Sequence, residues 1–473
     1  MKSKMIYAAL LPLLFATLFS CLKNLKEQMK PAKENASING NSDISGHLKQ
    51  AKTFSSNVIQ KWLDVQSALL YSPPNPYFVN AGRYMAYSGV AAYEAVVPGM
   101  PSHKSLYGQL NQMPKMPETQ PGKAYHWPTC ANAALAEITR KLFTFTTPTR
   151  DAAKKLEDAL NQEYKNEIGN DDIFERSKTF GKNVAIAIAA WAATDQSWVS
   201  NPDYILTDKS AGLWWPENNT QTSFTVNKNL AYWGQTRPIV AGSTDITTFL
   251  PNAYSESPAS PYYKDMMEVY TVSKHLTFDQ KIIALYFDDP SANGYPSGSH
   301  YFPVLKQVFE QLNPSLDQAV HAYAKAGISL MDATIGSFKI KFTYNTERPF
   351  QFIRRVIEAS DDPATRWKPL IGTPGYPDFP SNHSMFGGSF AYALTSIFGT
   401  NVHFSDRTYA GKKILIDGNL TDLGTRSFNS FNDMVTEIAM SRLYGGIHTR
   451  CACEEGIKQG VKTAQYIDSK VKF

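Results

Sequence analysis

A chain of 473 residues with 43% hydrophobic and 12% aromatic content can bury a large core, and its length suits two or three average domains or one large helical unit. A formal net charge of +5 without any Lys- or Arg-dense run leaves no footprint for nucleic acid. Past the N-terminus, no stretch reaches the roughly 18 apolar residues of a membrane span.

The first element in chain order is a leader. Lys2 and Lys4 precede the apolar run Met5 to Ser20, the layout of an export signal with a basic start and a small residue before the cut. Cys21, directly after Ser20, resembles the lipid-modified Cys of a bacterial lipobox, so residues 1–20 are expected to be removed and the charge to fall from +5 to +3 with Lys2 and Lys4. The mature chain is then exported and lipid-anchored, in the periplasm or at the outer-membrane surface, and touches membrane only through that lipid. Residues 21–50, rich in Lys, Asn, Ser and Gly, read as a flexible tether, and residues 51–473 as the helical body. Cys130, Cys451 and Cys453 allow one disulfide from Cys130 to either partner, with one thiol left over.

Within the body, apolar residues recur at helical spacing from Val58 to Leu70 and from Asn80 to Val96, and further helices are expected at about 130–146, 149–166 and 171–196. Between Trp198 and Ser260 the pattern turns to Pro, Gly, Asn, Trp and Tyr, which suits either a lid or binding loop or an aromatic-stapled surface excursion. Helices resume near Ser260 and Thr277, and Pro296-Ser297-Gly298-Ser299-His300 reads as a turn. With no strand-like alternation beyond a few residues, the fold class is all-α: a large helical bundle with a long irregular loop region.

Three helix ends in residues 335–456 carry the chemistry. Ser315 and Gln318 form a capping box, and Val320, Ala324, Ile328, Met331, Ile335, Phe338 and Phe342 make one apolar stripe. Lys341 falls at the edge of that buried face, where an ammonium is costly unless it meets an anion. Arg348 precedes Pro349, which disfavours helix and implies a turn presenting the guanidinium. Ser381 then caps a helix with His383 in its first turn, so the Ser381 hydroxyl and the amide of Asn382 can donate to an anion at the helix N-terminus. A third helix, capped by Ser430, carries Ser441 and Arg442 before Gly445-Gly446 and His448. A neutral His448 imidazole can bond phosphorus or a metal oxyanion if a partner fixes its other nitrogen; Glu454 and Glu455 are the nearest carboxylates in sequence.

In order and internal spacing these stretches resemble the signature K-x6-R-P, P-S-G-H and S-R-x3-G-x-H shared by vanadium-dependent haloperoxidases and type 2 phosphatidic acid phosphatases. Asn80 to Val96, the Trp-rich middle and Trp367-Lys368-Pro369-Leu370-Ile371 are similar to the bacterial haloperoxidase branch. The resemblance implies that Lys341, Arg348 and Arg442 neutralise the oxygens of a vanadate cofactor, with Ser381 and Asn382 donating hydrogen bonds. His383 would be the acid-base residue and His448 the vanadium ligand. Phosphate would fit the same site, no nucleotide or haem is called for, and the substrates would be small molecules: halide and peroxide, or a phosphoester. Hence the leading expectation is a haloperoxidase. The alternatives are a phosphomonoesterase with His448 as nucleophile and His383 as general acid and base, and a non-catalytic ligand-binding lipoprotein. Two positions depart from the pattern: Asn382 replaces Gly, and Ala452 stands where relatives carry an Asp able to orient the imidazole. Tyr376 occupies a position associated with halide preference.

Overall fold

The computed structural model describes residues 49–71, 79–143, 146–197, 201–216, 224–245, 249–289, 295, 298–360, 362 and 364–473. The leader, Cys21, nearly all of the tether, and Pro296 and Ser297 of the expected turn lie outside these residues. Twelve helices carry the fold in chain order: α1 (Asn57–Tyr71), α2 (Asn80–Val96), α3 (Trp127–Leu142), α4 (Thr147–Ile168), α5 (Asp171–Ala192), α6 (Pro261–Lys274), α7 (Phe278–Tyr286), α8 (Tyr301–Leu312), α9 (Leu316–Tyr344), α10 (Asn382–Phe398), α11 (Phe431–Tyr444) and α12 (Arg450–Lys470). None among the described residues is long and apolar enough to cross a membrane.

Helix α9 is the axis. It starts at the expected capping box, with Gln318 Oε1 accepting from Ser315 N at 3.3 Å, and stops at Asn345, whose φ of 45° is a left-handed cap. The stripe from Val320 to Phe338 is fully buried, whereas Phe342 at its end is only partly covered. Every residue of α2 is buried against α9 and the helices behind it. The two backbones meet directly: a Cβ on Gly327 would lie 2.5 Å from the Met85 carbonyl oxygen. Helices α3 and α5 cover the far side of α2, α10 and α12 pack on α9, and α11 packs on α10, α12 and α7.

Three small antiparallel pairs interrupt the helices, a feature that the weak alternation did not announce: β1 (Tyr204–Leu206) with β2 (Phe224–Val226), β3 (Phe404–Asp406) with β6 (Arg426–Phe428), and β4 (Lys413–Ile416) with β5 (Asn419–Asp422). In the Trp-rich middle, Trp214 is fully buried and forms a small core with Leu206, Trp215, Val226 and Ala231. Trp214 N donates to Asn345 O at 2.8 Å and Glu347 N to Gly212 O at 2.9 Å, which laces the segment to the end of α9. Its described aromatics are staples. Cys130, Cys451 and Cys453 are all free, so the disulfide allowed by the sequence does not form; Cys130 and Cys453 are buried in separate helices.

Candidate active site

Lys341 and Arg348 are clamped by the proline-rich stretch that leads into α10. Lys341 Nζ donates to the carbonyls of Pro377 and Asp378, each at 2.8 Å, and Arg348 Nε donates to Tyr376 O at 2.6 Å. Both cations face the Tyr376 ring, 5.2 and 5.0 Å from its centroid. Arg348 has extended backbone, as expected before Pro349, and its Nη1 reaches Ile447 O at 2.8 Å. Arg442 arrives from the last turn of α11, where its Nε donates to Ser441 Oγ at 3.0 Å and its Nη2 to the carbonyls of Ala284 and Phe287 at the end of α7. Ser381 caps α10, accepting from Ser384 N at 3.4 Å.

The three cations are 0%, 0% and 1% exposed, and among the described residues none forms an ion pair with a carboxylate. Burial pulls Lys341 well below its ordinary value, helped by the charge of Arg348, and burial lowers Arg348 and Arg442 as well. Carbonyl dipoles, with Asp378 near Lys341 and Arg348 and Asp288 and Asp289 near Arg442, offset this charge only in part.

His448 follows the turn at Gly446, where φ is 76°, and is 2% exposed. Its Nδ1 lies 2.5 Å from Asp378 Oδ1, while Thr449 Oγ1 donates to Asp378 Oδ2 at 3.1 Å. Nε2 lies 3.5 Å from Arg348 Nη1. A guanidinium only donates, so Nε2 carries the lone pair and Nδ1 the proton. Burial, then the charges of Arg348, Lys341 and Arg442, hold His448 well below the usual imidazole value. Burial pushes the Asp378 carboxyl up to about 6 against the pull of Arg348 and Lys341. The carboxylates nearest His448 in sequence pair elsewhere: Glu454 with Arg450, and Glu455 with Lys458. Asp378, seventy residues earlier, takes the place left open by Ala452.

His383 points inward from the first turn of α10, and its Nε2 lies 3.1 Å from Asp289 Oδ2. Burial, with Arg442 next, lowers its imidazole to about 4 against the opposing pull of Asp289. His300 is no simple turn residue: it is 4% exposed, with Nδ1 3.1 Å from Asp289 Oδ1 and Nε2 2.9 Å from Asp406 Oδ2. Asp289, His300, Asp378 and Asp406 were all missed by sequence reasoning. Two offered a signal: His300, in a Ser/His stretch read as a turn, and Asp378, a carboxylate in a stiff segment between two matched motifs.

Residues 321–473 match the family described as the VCPO second helical-bundle domain. The crystal structure of the first bacterial vanadium-dependent iodoperoxidase superposes with a TM-score of 0.75 at 28% identity, covering 88% of this chain and 97% of that one. Together these two matches support placing the chain in the vanadium haloperoxidase superfamily. Apo and holo structures of a bacterial vanadium-dependent chloroperoxidase share its fold at 13% and 14% identity, with TM-scores of 0.58 and 0.59. The first covers 83% of this chain and 94% of its own, the second 84% and 93%. No curated protein sequence matches the chain.

The donor set suits the oxyanion cofactor that this haloperoxidase fold implies. Among the described residues no group of three His, Cys, Asp or Glu side chains is disposed to hold a bare metal ion. One imidazole lone pair and three undercompensated cations suit a metal oxyanion better. Asn382 keeps its backbone N–H at the start of α10, and its side chain is turned to α9, where Oδ1 accepts from Ser337 Oγ at 2.6 Å. Its buried Nδ2 faces the Tyr376 hydroxyl. The substitution for Gly thus adds a donor to the region.

Proposed function

We propose that the chain is a vanadate-dependent haloperoxidase that binds vanadate through His448 Nε2 and oxidises halide with hydrogen peroxide. The observation that carries this reading is the Nε2 lone pair of His448, fixed by Asp378 and aimed beside Arg348, in a chain that resembles an iodoperoxidase over nearly all of that protein's length. Lys341, Arg348 and Arg442 balance the oxyanion's charge, and Ser381 Oγ and the Asn382 amide donate to its oxygens. Bound vanadate supplies a Lewis-acidic centre that polarises peroxide toward attack by halide. His383 exchanges the proton: Nε2 is committed to Asp289, so transfer to and from the reactants falls to Nδ1. Tyr376, stacked against Lys341 and Arg348, lies beside the halide's approach. On sequence alone, the same proposal tethers the enzyme at a membrane surface through lipid on Cys21.

The test is to titrate vanadate into metal-free protein and follow oxidation of iodide and bromide beside phosphate release from a monoester. Vanadate-dependent halide oxidation is expected. Ester turnover without halide oxidation overturns the reading in favour of a phosphomonoesterase, for which the same cations and the same His448 lone pair would serve.

A further inference from the structure

His300 lies outside the three matched stretches, yet it is joined to His383 through a shared carboxylate. Asp289 accepts three donors: His383 Nε2 at 3.1 Å, His300 Nδ1 at 3.1 Å and the Tyr409 hydroxyl at 3.3 Å. Asp406 accepts His300 Nε2 at 2.9 Å, Thr408 N at 3.0 Å, Thr408 Oγ1 at 2.5 Å and Gln307 Nε2 at 3.4 Å. The fixed donors gather on one oxygen of each carboxyl, Tyr409 on Asp289 Oδ1 and Thr408 and Gln307 on Asp406 Oδ1, and this favours the ionised form of both. With both flanking carboxylates ionised, both His300 nitrogens must carry hydrogen. A neutral ring would turn one lone pair onto a buried carboxylate.

The chain of contacts ends in the interior. Asp406 is fully buried and its Oδ1 accepts from Thr408 and Gln307, so among the described residues no further titratable side chain is hydrogen-bonded beyond it. The cluster is therefore a clamp and no proton wire. We propose that His300 is a positioning residue for His383: an imidazolium held between Asp289 and Asp406, it keeps Asp289 ionised so that Asp289 fixes the His383 ring as the Nε2–H tautomer. Without that cation, Asp289 would sit buried with two neutral donors and would take up a proton more readily. The charge balance agrees, since Asp406 and Asp289 push His300 up to about 10, and His300 holds both carboxyls below their ordinary value. The other charged or titratable groups facing the cluster are Asp288, Arg442, Lys412 and Tyr301, with Tyr286, Tyr295 and Tyr409 packed around the ring.

This inference rests on the proposed proton-transfer role of His383, but its first readout does not. In vanadate-free protein labelled with ¹⁵N-histidine, one imidazole should show both nitrogens protonated at pH 8, and that signal should vanish in His300→Gln. Its absence from the wild-type protein overturns the proposal whether or not any variant folds. In the vanadate-loaded enzyme, His300→Gln should lower kcat about tenfold to a hundredfold. It should also move the acid limb of the pH profile toward neutrality by about one unit, with the KM for peroxide unchanged. Asp406→Asn should do the same to a lesser degree. A variant that loses only thermal stability, with the pH profile unmoved, shows His300 to be structural. A wild-type enzyme inactive toward both halide and phosphoester sinks the functional reading and leaves the NMR result standing.

Discussion

The Asp378 carboxylate decides which nitrogen of His448 holds a proton, and so whether Nε2 can bond to anything. Its charge also offsets part of the field of Lys341 and Arg348. Asp378→Asn keeps an acceptor for Nδ1–H but discards the charge, so vanadate affinity should drop about tenfold to a hundredfold in a direct titration. Equal affinity would mean that the pair is incidental. Restoring the relatives' residue should not help. Ala452 is fully buried among Ile340, Phe379 and Cys451, so Ala452→Asp would bury a second carboxylate at about 2–5 kcal/mol, readable in denaturant unfolding. Retained stability there would contradict the packing described. These cases show what a sequence discloses at this scale. Lys341, Arg348, Ser381, His383, Arg442 and His448 announce themselves because each sits at a helix end with local cap and turn signals. Most of their partners are distant in sequence, 28 positions for Arg348 with Tyr376, 70 for His448 with Asp378, 94 for His383 with Asp289 and 155 for Arg442 with Phe287, and no periodicity records such pairs.

At the scale of elements, the site depends on how closely α10 can lie on α12. A Cβ on Gly388 would stand 2.5 Å from the Ile457 carbonyl oxygen, a backbone atom that cannot swing aside. Gly388→Ala should therefore cost about 1–3 kcal/mol or more in chemical denaturation, because the helices must part. Unaltered stability would show the contact to be loose. Caps and stripes made α9, α10 and α11 legible, and Ser315, Ser381 and Ser430 begin them as their residue types imply. Pairs such as β3 with β6 were illegible because strands of three residues are held by neighbours, Asp406 by His300 among them, and carry too few positions to alternate.

Over the whole molecule, an anion bound among Lys341, Arg348 and Arg442 would add to the fold's stability. Vanadate or phosphate at a hundred times its dissociation constant should stabilise the protein by about 2.7 kcal/mol, seen as a rise in Tm. No rise with either anion would mean that the cations are balanced without one. The His300 clamp adds a pH signature of known sign. With a folded pKa of about 10 against an ordinary 6.5, its contribution is complete below pH 6.5 and disappears as pH climbs through about 10. Wild-type Tm should thus fall more steeply than that of His300→Gln between pH 7 and 10. Parallel curves would contradict it.

Crystals soaked in vanadate give the most direct test through the anomalous signal of vanadium. A single peak bonded to His448 Nε2, among Lys341, Arg348 and Arg442, is the expected result. A peak bonded elsewhere, or none at saturating vanadate, would contradict it.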